Sequence, residues 1–198
     1  MARPTAPSCA CAERGELEIE TRDPAATRAV GAALVEAVLP LPSGGLVLAL
    51  MGDLGAGKTV LVRGIARALG VPAKTPVTSP TFTIARAYDV ETPGGALVHL
   101  HHLDAYRLRG VEDLDGIGFE EMCGTDCLTC VEWGDRVADG LPRERIDVWI
   151  ESLPLCATDA KEDAPPAGRR LRFGGRGAAP ASVLQRLGDV LARAERAP

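Results

Sequence analysis

The sequence of 198 residues predicts an α/β protein with a central, mostly parallel sheet, flanking helices and an antiparallel hairpin. Apolar segments of strand length alternate along the chain with segments whose apolar residues recur at helical spacing. The run GLVLALMG (45–52) is apolar throughout, as in a parallel strand that is covered on both faces. The turn ETPGG lies between two strand-like segments and predicts the hairpin. With 46% apolar residues the chain is long enough to bury one core, so a single domain is expected.

The predicted elements follow one another as strands and helices. Asp23 followed by Pro24 predicts the start of the first helix, and Gly70 predicts the end of the second. The predicted strands are GELEIET (15–21), GLVLALMG, FTIARAYDV, ALVHLHHLD, DCLTCVEW, RIDVWIES and RRLRFG, and the predicted helices cover 25–39, 58–69 and 180–195.

Two segments are predicted to be irregular. Residues 1–14 and 153–168 are rich in Pro, Ala and charge, which is typical of a disordered tail and of a flexible loop inserted between two strands. The folded domain is therefore predicted to span 15–198.

The acidic composition restricts the partners. A net charge of -5 and a pI near 5.3 argue against a protein that binds nucleic acid by itself, because such proteins usually carry a basic face. No run of about 18 apolar residues is present, and the N-terminus lacks the apolar segment of a signal peptide. We therefore expect a cytoplasmic protein, without a membrane span, that meets RNA only through a partner.

The segment GDLGAGKT (52–59) fits the phosphate-binding pattern G-x-x-x-x-G-K-[ST] and lies between a buried strand and an amphipathic helix. Its glycines allow the chain to curl with several N–H groups turned inward, and the helix adds the positive end of its dipole. Lys58 is predicted to reach the β and γ phosphates, and the Thr59 hydroxyl is predicted to bind Mg²⁺. The sequence therefore predicts a nucleotide site.

The nucleotide is predicted to be ATP. The sequence contains no asparagine, so it has no Asn-Lys-x-Asp type motif for guanine. Its only glutamine, Gln185, lies in the last predicted helix and is no candidate for positioning water as in GTPases.

Two acidic residues end apolar strands at the edge of the sheet where the nucleotide crevice should open. Asp104 ends LVHLHHLD and Glu132 ends CLTCVE. Either is predicted to hold Mg²⁺, directly or through water, while the other orients the attacking water. The alternatives are that Glu132 is an exposed acid and that Asp104 is a turn or cap residue.

Three further groups of residues have side chains capable of binding a ligand. Thr81, in TSPTFT (78–83), is a candidate for sensing the γ-phosphate, and a strand-entry turn is the alternative for that segment. His101 and His102 are predicted to pack or to hydrogen-bond rather than to catalyse. Cysteines 123, 127 and 130 have C-x3-C-x2-C spacing without a nearby fourth ligand, so the last two are expected to be small buried apolar side chains.

The motifs GDLGAGKT, SPTFT, HLDAYRL, GFEE and VEWGDR, in this order and with these spacings, resemble the TsaE (YjeE) family. That family is the bacterial ATPase that takes part in making the threonylcarbamoyl modification on adenosine 37 of tRNAs reading ANN codons. The resemblance covers about residues 15–152 and implies a small P-loop α/β fold, binding of Mg-ATP and weak ATP hydrolysis. It also implies a complex with TsaD and TsaB, which TsaE resets through ATP hydrolysis, so that tRNA is met only through the complex.

The resemblance also assigns residues. Asp23 falls where the family contacts the nucleoside end of ATP, and Trp133 matches the tryptophan after the family's glutamate. Thr59 and Glu132 match the Mg²⁺ positions, and Asp104 and Thr81 match further functional positions, with Asp104 a third candidate for the metal. The residues that wrap the phosphates are Leu54, Gly55, Ala56, Gly57, Lys58 and Thr59, and the residues predicted to serve catalysis are Lys58, Thr81, Asp104 and Glu132.

The main alternative is a small-molecule kinase with the same loop. Such kinases usually carry an arginine-rich lid, but the nearest arginine cluster, Arg143 and Arg145, precedes a predicted strand. A module that binds nucleotide without hydrolysis is disfavoured because Lys58, Thr59, Asp104 and Glu132 are all retained.

Overall fold

The computed structural model describes residues 15–92, 94–153 and 168–196. The predicted tail, 1–14, lies outside the described residues, as does nearly all of the predicted loop, 153–168. The first and last residues of that loop, Leu153 and Gly168, belong to strands.

One seven-stranded sheet with helices on it makes up the described chain. The strands are β1 (Glu16–Thr21), β2 (Leu46–Met51), β3 (Ala85–Glu91), β4 (Leu97–Asp104), β5 (Cys127–Glu132), β6 (Arg145–Leu153) and β7 (Gly168–Arg176). The α-helices are α1 (Pro24–Val38), α2 (Lys58–Leu69), α3 (Val111–Asp115) and α4 (Ala178–Arg196), and short 3₁₀ helices cover Ala105–Arg107, Glu121–Cys123 and Gly134–Gly140.

The strand order is β1-β7-β6-β2-β5-β4-β3. The four central strands, β6, β2, β5 and β4, are parallel to one another. Antiparallel pairs close both sides of the sheet: β3 with β4, and β7 with both β6 and β1. The mostly parallel centre and the predicted hairpin are therefore confirmed, and the β6–β7–β1 arrangement adds a second antiparallel flank.

Apolar side chains are buried on both faces of the sheet. Strand β2 shows this directly, because Leu46, Leu48 and Leu50 contribute to one core cluster, whereas Val47 and Ala49 contribute to the other. The first cluster includes residues of α1, α2 and α4, and the second includes residues of α3 and of the 3₁₀ helices. The unbroken apolar run in the sequence thus has the two-sided burial that it predicts.

The helix ends have the predicted capping. The Asp23 side chain accepts a hydrogen bond of 2.8 Å from the Ala26 N–H at the start of α1, and Pro24 is the first helical residue. Helix α2 ends at Gly70, whose φ of 112° is in the left-handed region, and the Gly70 N–H bonds back to Ala66. Helix α3 was not predicted, because five residues are too few to show a helical period.

The parallel strands bring their carboxyl ends to one edge of the sheet. Leu50 on β2 and Asp104 on β4 are both register partners of Glu132, the last residue of the intervening strand β5. This edge therefore holds the glycine loop and both predicted acids. Among the described residues, no helix combines the length and the apolar character needed to cross a bilayer.

Candidate functional site

The glycine loop connects β2 to α2 in a conformation that depends on its glycines. Gly57 has a φ of 115°, and a Cβ there would overlap the side chain of Arg169. Gly52 has a φ of 132°, and a Cβ there would overlap the main-chain oxygen of Ile150. Helix α2 has no side-chain cap at its N-terminus, so its first N–H groups are left for another acceptor.

A cavity of about 340 Å³ lies beside this loop. Eight of the ten predicted site residues line it: Leu54, Gly55, Gly57, Lys58, Thr59, Thr81, Asp104 and Glu132. Ser79, Tyr106, Val60 and Trp133 complete the lining. The structure thus brings together residues from the glycine loop, the TSPTFT segment and the ends of two strands.

Two predicted site residues do not line the cavity. Ala56 is buried, and its main-chain oxygen accepts a hydrogen bond of 2.9 Å from Arg169 Nε. Asp23 caps α1, and its predicted contact with the nucleoside stays a prediction.

Lys58 is the first residue of α2, and its side chain is only 4% exposed. Its Nζ donates to the main-chain oxygens of Gly52, at 2.6 Å, and of Asp53, at 2.9 Å. The Nζ also lies 3.8 Å from the ring centroid of Trp133, in a cation–π contact. Burial lowers the pKa of Lys58, and nearby carboxylates, led by Glu132, oppose that change.

Glu132 is buried at the end of β5, with 3% of its surface exposed, which excludes the alternative of an exposed acid. Its Oε1 accepts hydrogen bonds from Thr59 Oγ1, at 2.8 Å, and from His102 Nε2, at 2.7 Å. Its Oε2 receives no hydrogen bond from the described residues. Glu132 therefore presents one bonded and one available oxygen beside the loop.

Asp104 is equally buried and accepts bonds from three donors. Its Oδ2 is 2.5 Å from Ser79 Oγ and 2.6 Å from Thr81 Oγ1, and its Oδ1 accepts from the Tyr106 N–H at 3.0 Å. Burial raises the pKa of Asp104, but these hydrogen bonds, together with nearby His102, outweigh burial and lower the pKa. The cap alternative is also correct, because the Tyr106 bond caps the 3₁₀ helix Ala105–Arg107.

The TSPTFT segment is bonded to Asp104, and the residue that follows the segment has a strained backbone. Ile84 has a φ of 64°, which is a costly conformation for a β-branched residue, and its main-chain oxygen accepts from the Asp104 N–H at 2.9 Å. Phe82 is 86% exposed. An exposed aromatic ring and a strained backbone thus lie within a few residues of Thr81.

The cavity has an aromatic wall. The rings of Trp133 and Tyr106 are 5.2 Å apart and tilted by 52°. Trp133 has a φ of 60°, so the chain turns sharply as it leaves β5. This turn places the ring against Lys58.

His102 is buried and hydrogen-bonded, as predicted, but its contact with Glu132 was not predicted, and no site role was predicted for Ser79 or Arg169. The strand pattern already places His102 on the same face of the sheet as Asp104, because residues two apart in a strand share a face. No comparable signal marks Arg169, which meets the loop from a strand 113 residues away. The predicted burial of Cys127 and Cys130 is confirmed.

The donor set fits a Mg²⁺ ion that is shared with phosphates. Thr59 and Glu132 offer hard oxygen atoms, and neither Glu132 nor Asp104 forms an ion pair with a lysine or arginine of the described chain. Across the described segments, no group of three or more His, Cys, Asp or Glu residues is arranged to hold a metal alone. A magnesium ion that binds with a nucleotide needs no such group, because water and phosphate supply its remaining ligands.

The fold and the glycine loop define an α/β protein of the P-loop NTPase fold class. The family model described as "Threonylcarbamoyl adenosine biosynthesis protein TsaE" matches residues 21–156. The chain belongs to this family.

Relatives and a solved structure agree with this assignment. Proteins named tRNA threonylcarbamoyladenosine biosynthesis protein TsaE are 35% identical in Bacillus subtilis, over 69% of this chain and 78% of that protein, and 43% identical in Streptomyces coelicolor, over 56% and 71%. The TsaE of Treponema pallidum is 39% identical over 55% of this chain and 75% of its own. The crystal structure of Bacillus subtilis YdiB matches 88% of this chain and 95% of its own, with a TM-score of 0.63 and 30% identity.

Proposed function

We propose that the protein is a Mg²⁺-dependent ATPase that serves the threonylcarbamoyl modification of adenosine 37 in tRNAs reading ANN codons. In this proposal it acts in the cytoplasm with TsaD and TsaB, resets their complex through ATP hydrolysis, and meets tRNA only through that complex. One observation carries the ATPase: an uncapped helix N-terminus, a buried lysine and two buried carboxylates that pair with no lysine or arginine among the described residues line one cavity.

Phosphate binding rests on the glycine loop and Lys58. The first N–H groups of α2 lack a side-chain cap, and phosphate oxygens are acceptors for such groups. Lys58 donates to two main-chain oxygens, and the charged oxygens of a phosphate are stronger acceptors for an ammonium group. When phosphate binds, the Lys58 ammonium therefore exchanges neutral main-chain acceptors for charged phosphate oxygens.

Metal binding rests on Thr59 and Glu132. The Thr59 hydroxyl has lone pairs for a cation while it donates its hydrogen to Glu132 Oε1, and Glu132 Oε2 is the available carboxylate oxygen. A buried carboxylate without a paired cation is costly, and a divalent ion offsets that cost. When bound, Mg²⁺ neutralises charge that develops on the phosphates during transfer.

Asp104 is suited to orient the attacking water. The hydroxyls of Ser79 and Thr81 lower its pKa, so it stays ionised and accepts hydrogen bonds near neutral pH. Its register pairing with Glu132 keeps the two acids adjacent at the strand ends, and Asp104 is a further candidate for holding the metal through water.

The TSPTFT segment is suited to report the state of the nucleotide. Thr81 lines the cavity, and exposed Phe82 and strained Ile84 follow it in the chain. A small movement of Thr81 could therefore be coupled to a change in the backbone conformation at Ile84. We expect the ATP-bound chain to bind the TsaB–TsaD pair more tightly than the ADP-bound chain, by about 1 to 3 kcal/mol.

This coupling is tested by titrating the labelled chain against the partner pair with an ATP analogue and with ADP. Thr81→Ala should reduce the difference between the two nucleotides while ATP affinity stays close to that of the wild type. Thr78→Ala, at an exposed position in the same segment, is the matched control. Equal affinity of the wild type in both nucleotides would refute the coupling.

Of the two arginines named for a kinase lid, Arg145 is not available for that role. Arg145 is buried and donates to Asp147 Oδ1 at 2.7 Å and to the Pro142 oxygen at 2.9 Å, so its guanidinium is already bonded within the protein.

The test of the whole proposal is ATP hydrolysis by the purified chain with and without TsaB, TsaD and tRNA. Weak turnover that rises with the partners supports it, and unchanged turnover contradicts it.

A further inference from the structure

His102 is a buried polar side chain to which the proposed reaction assigns no role. It has no exposed surface, and it lies on β4 two residues before Asp104, on the same face of the sheet. Its register partner on β5 is Cys130, which is also fully buried. Burial of an imidazole is costly unless its polar atoms are hydrogen-bonded, and the side chain of His102 has one such bond within the described residues, to Glu132.

The direction of that bond follows from the partners of the two ring nitrogens. The Glu132 carboxylate only accepts, and His102 Nδ1 has no hydrogen-bond partner in the described part of the chain. The tautomer with its hydrogen on Nε2 therefore makes the bond and leaves no buried N–H without an acceptor. His102 is thus a donor to Glu132 Oε1.

Two donors consequently meet on the same oxygen of Glu132. Thr59 Oγ1, on α2, lies 2.8 Å from Oε1, and His102 Nε2, on β4, lies 2.7 Å from it. This arrangement restricts rotation of the carboxylate and leaves Oε2 without a protein donor from the described residues. Because Glu132 lines the cavity, Oε2 is the atom that remains for a ligand.

We propose that His102 is a positioning residue that fixes the Glu132 carboxylate so that Oε2 is presented to the divalent cation bound with the nucleotide. This inference rests on the proposed function, because it requires Glu132 to take part in metal binding. Thr59 also donates to Oε1, but its hydroxyl has a second predicted task as a metal ligand. His102 is the donor that has no second task.

The test compares two amides of different length. His102→Gln places an amide nitrogen near the position of Nε2 and retains the donor to Oε1. His102→Asn has the same chemistry but is one methylene shorter, so its nitrogen does not reach Oε1. His101→Asn is the control, because His101 is the adjacent residue on the opposite face and has no hydrogen bond to Glu132.

The affinity for the metal is measured under conditions in which no ATP is hydrolysed. Mn²⁺ is titrated into each variant with ADP, with protein in excess so that all ADP is bound, and free Mn²⁺ is followed by electron paramagnetic resonance. We expect Mn²⁺ affinity to fall about tenfold in His102→Asn, as is typical when a residue that orients a metal ligand is removed, and to recover in His102→Gln. ADP affinity in EDTA should be the same in all variants.

Each outcome decides the proposal. Wild-type Mn²⁺ affinity in His102→Asn overturns it, and so does an equal loss in the Gln and Asn variants, which would indicate packing. If His102→Asn does not fold, His102→Leu takes its place against the Gln variant. Glu132→Gln separates the two proposals: unchanged Mn²⁺ affinity there contradicts the metal role of Glu132, whereas a loss there without a loss in His102→Asn contradicts only the role of His102.

Discussion

Carboxylates occupy two very different environments in this sheet. At the carboxyl ends of the parallel strands, Glu132 and Asp104 are each 3% exposed and are bonded by hydroxyl, imidazole or main-chain donors. On the antiparallel flank, Glu151 pairs with Arg172, and both side chains are about half exposed, at 49% and 50%. The buried acids thus have neutral or weakly basic donors, whereas the flank acid has an arginine.

This difference separates acids that we propose to bind a ligand from acids that face water. An exposed ion pair contributes little to the free energy of unfolding, because water solvates and screens both charges. A buried carboxylate without an arginine keeps its charge for a cation that arrives later. The flank also has a cavity of about 470 Å³ near Trp149 and Arg172, but it lacks the uncapped helix and buried acids of the parallel edge.

The largest effect should come from Lys58→Ala. Its ammonium is the buried cation of the glycine loop, and its loss should lower ATP hydrolysis by at least about 100-fold and weaken ATP binding. Calorimetry and a phosphate-release assay measure the two effects. Lys74→Ala, which changes an exposed lysine, should leave both at wild-type values. Unchanged affinity and turnover in Lys58→Ala would place the nucleotide elsewhere.

A smaller effect should follow from Glu132→Gln. The change removes the charge and keeps the size, so Mg²⁺-dependent hydrolysis should fall by about 10- to 100-fold, while ATP binding in EDTA changes little. Affinity is measured with Mg²⁺ and with EDTA. An equal loss under both conditions would assign Glu132 a structural role instead.

The hydroxyls around Asp104 should have an effect on stability that depends on pH. The pKa of Asp104 is lowered in the folded state, so its contribution to stability is present above the unfolded pKa and is lost as pH falls through the folded pKa. Removing both hydroxyls, by Ser79→Ala with Thr81→Val, should lower the free energy of unfolding near pH 7 by about 1 to 3 kcal/mol.

Urea unfolding at pH 7 and at pH 3 measures this contribution. The difference between wild type and the double variant should be smaller at pH 3 than at pH 7, because the stability that depends on ionised Asp104 is lost as the pH falls below the unfolded pKa and toward the lowered folded pKa. Thr78→Val, at an exposed position, is the control. A difference of the same size at both pH values would show that the hydroxyls act through packing.

The smallest effect should come from the flank. Glu151→Gln removes an exposed ion pair with Arg172, so the free energy of unfolding should change by less than about 1 kcal/mol, with no change in ATP affinity. Thermal unfolding and calorimetry check both. A large loss of ATP affinity would remove the distinction between the two regions.

Local sequence patterns were sufficient for the seven strands, for helices α1, α2 and α4, and for most of the cavity. The glycine loop, the strand ends at Asp104 and Glu132, and the cap at Asp23 all follow from neighbours in the chain. The contact of His102 with Glu132 did not, because it depends on the register between β4 and β5. Arg169 shows the same limit, since its contact with Ala56 depends on the position of β7 beside β6.

The most direct test of the central claim is calorimetric titration of a non-hydrolysable ATP analogue into the wild-type chain, with Mg²⁺ and with excess EDTA. The arrangement of Lys58, Thr59 and Glu132 predicts saturable binding of one nucleotide per chain that is tighter with Mg²⁺. Absence of saturable binding, or the same affinity with and without the metal, would contradict the assignment of the parallel edge as a Mg²⁺–nucleotide site.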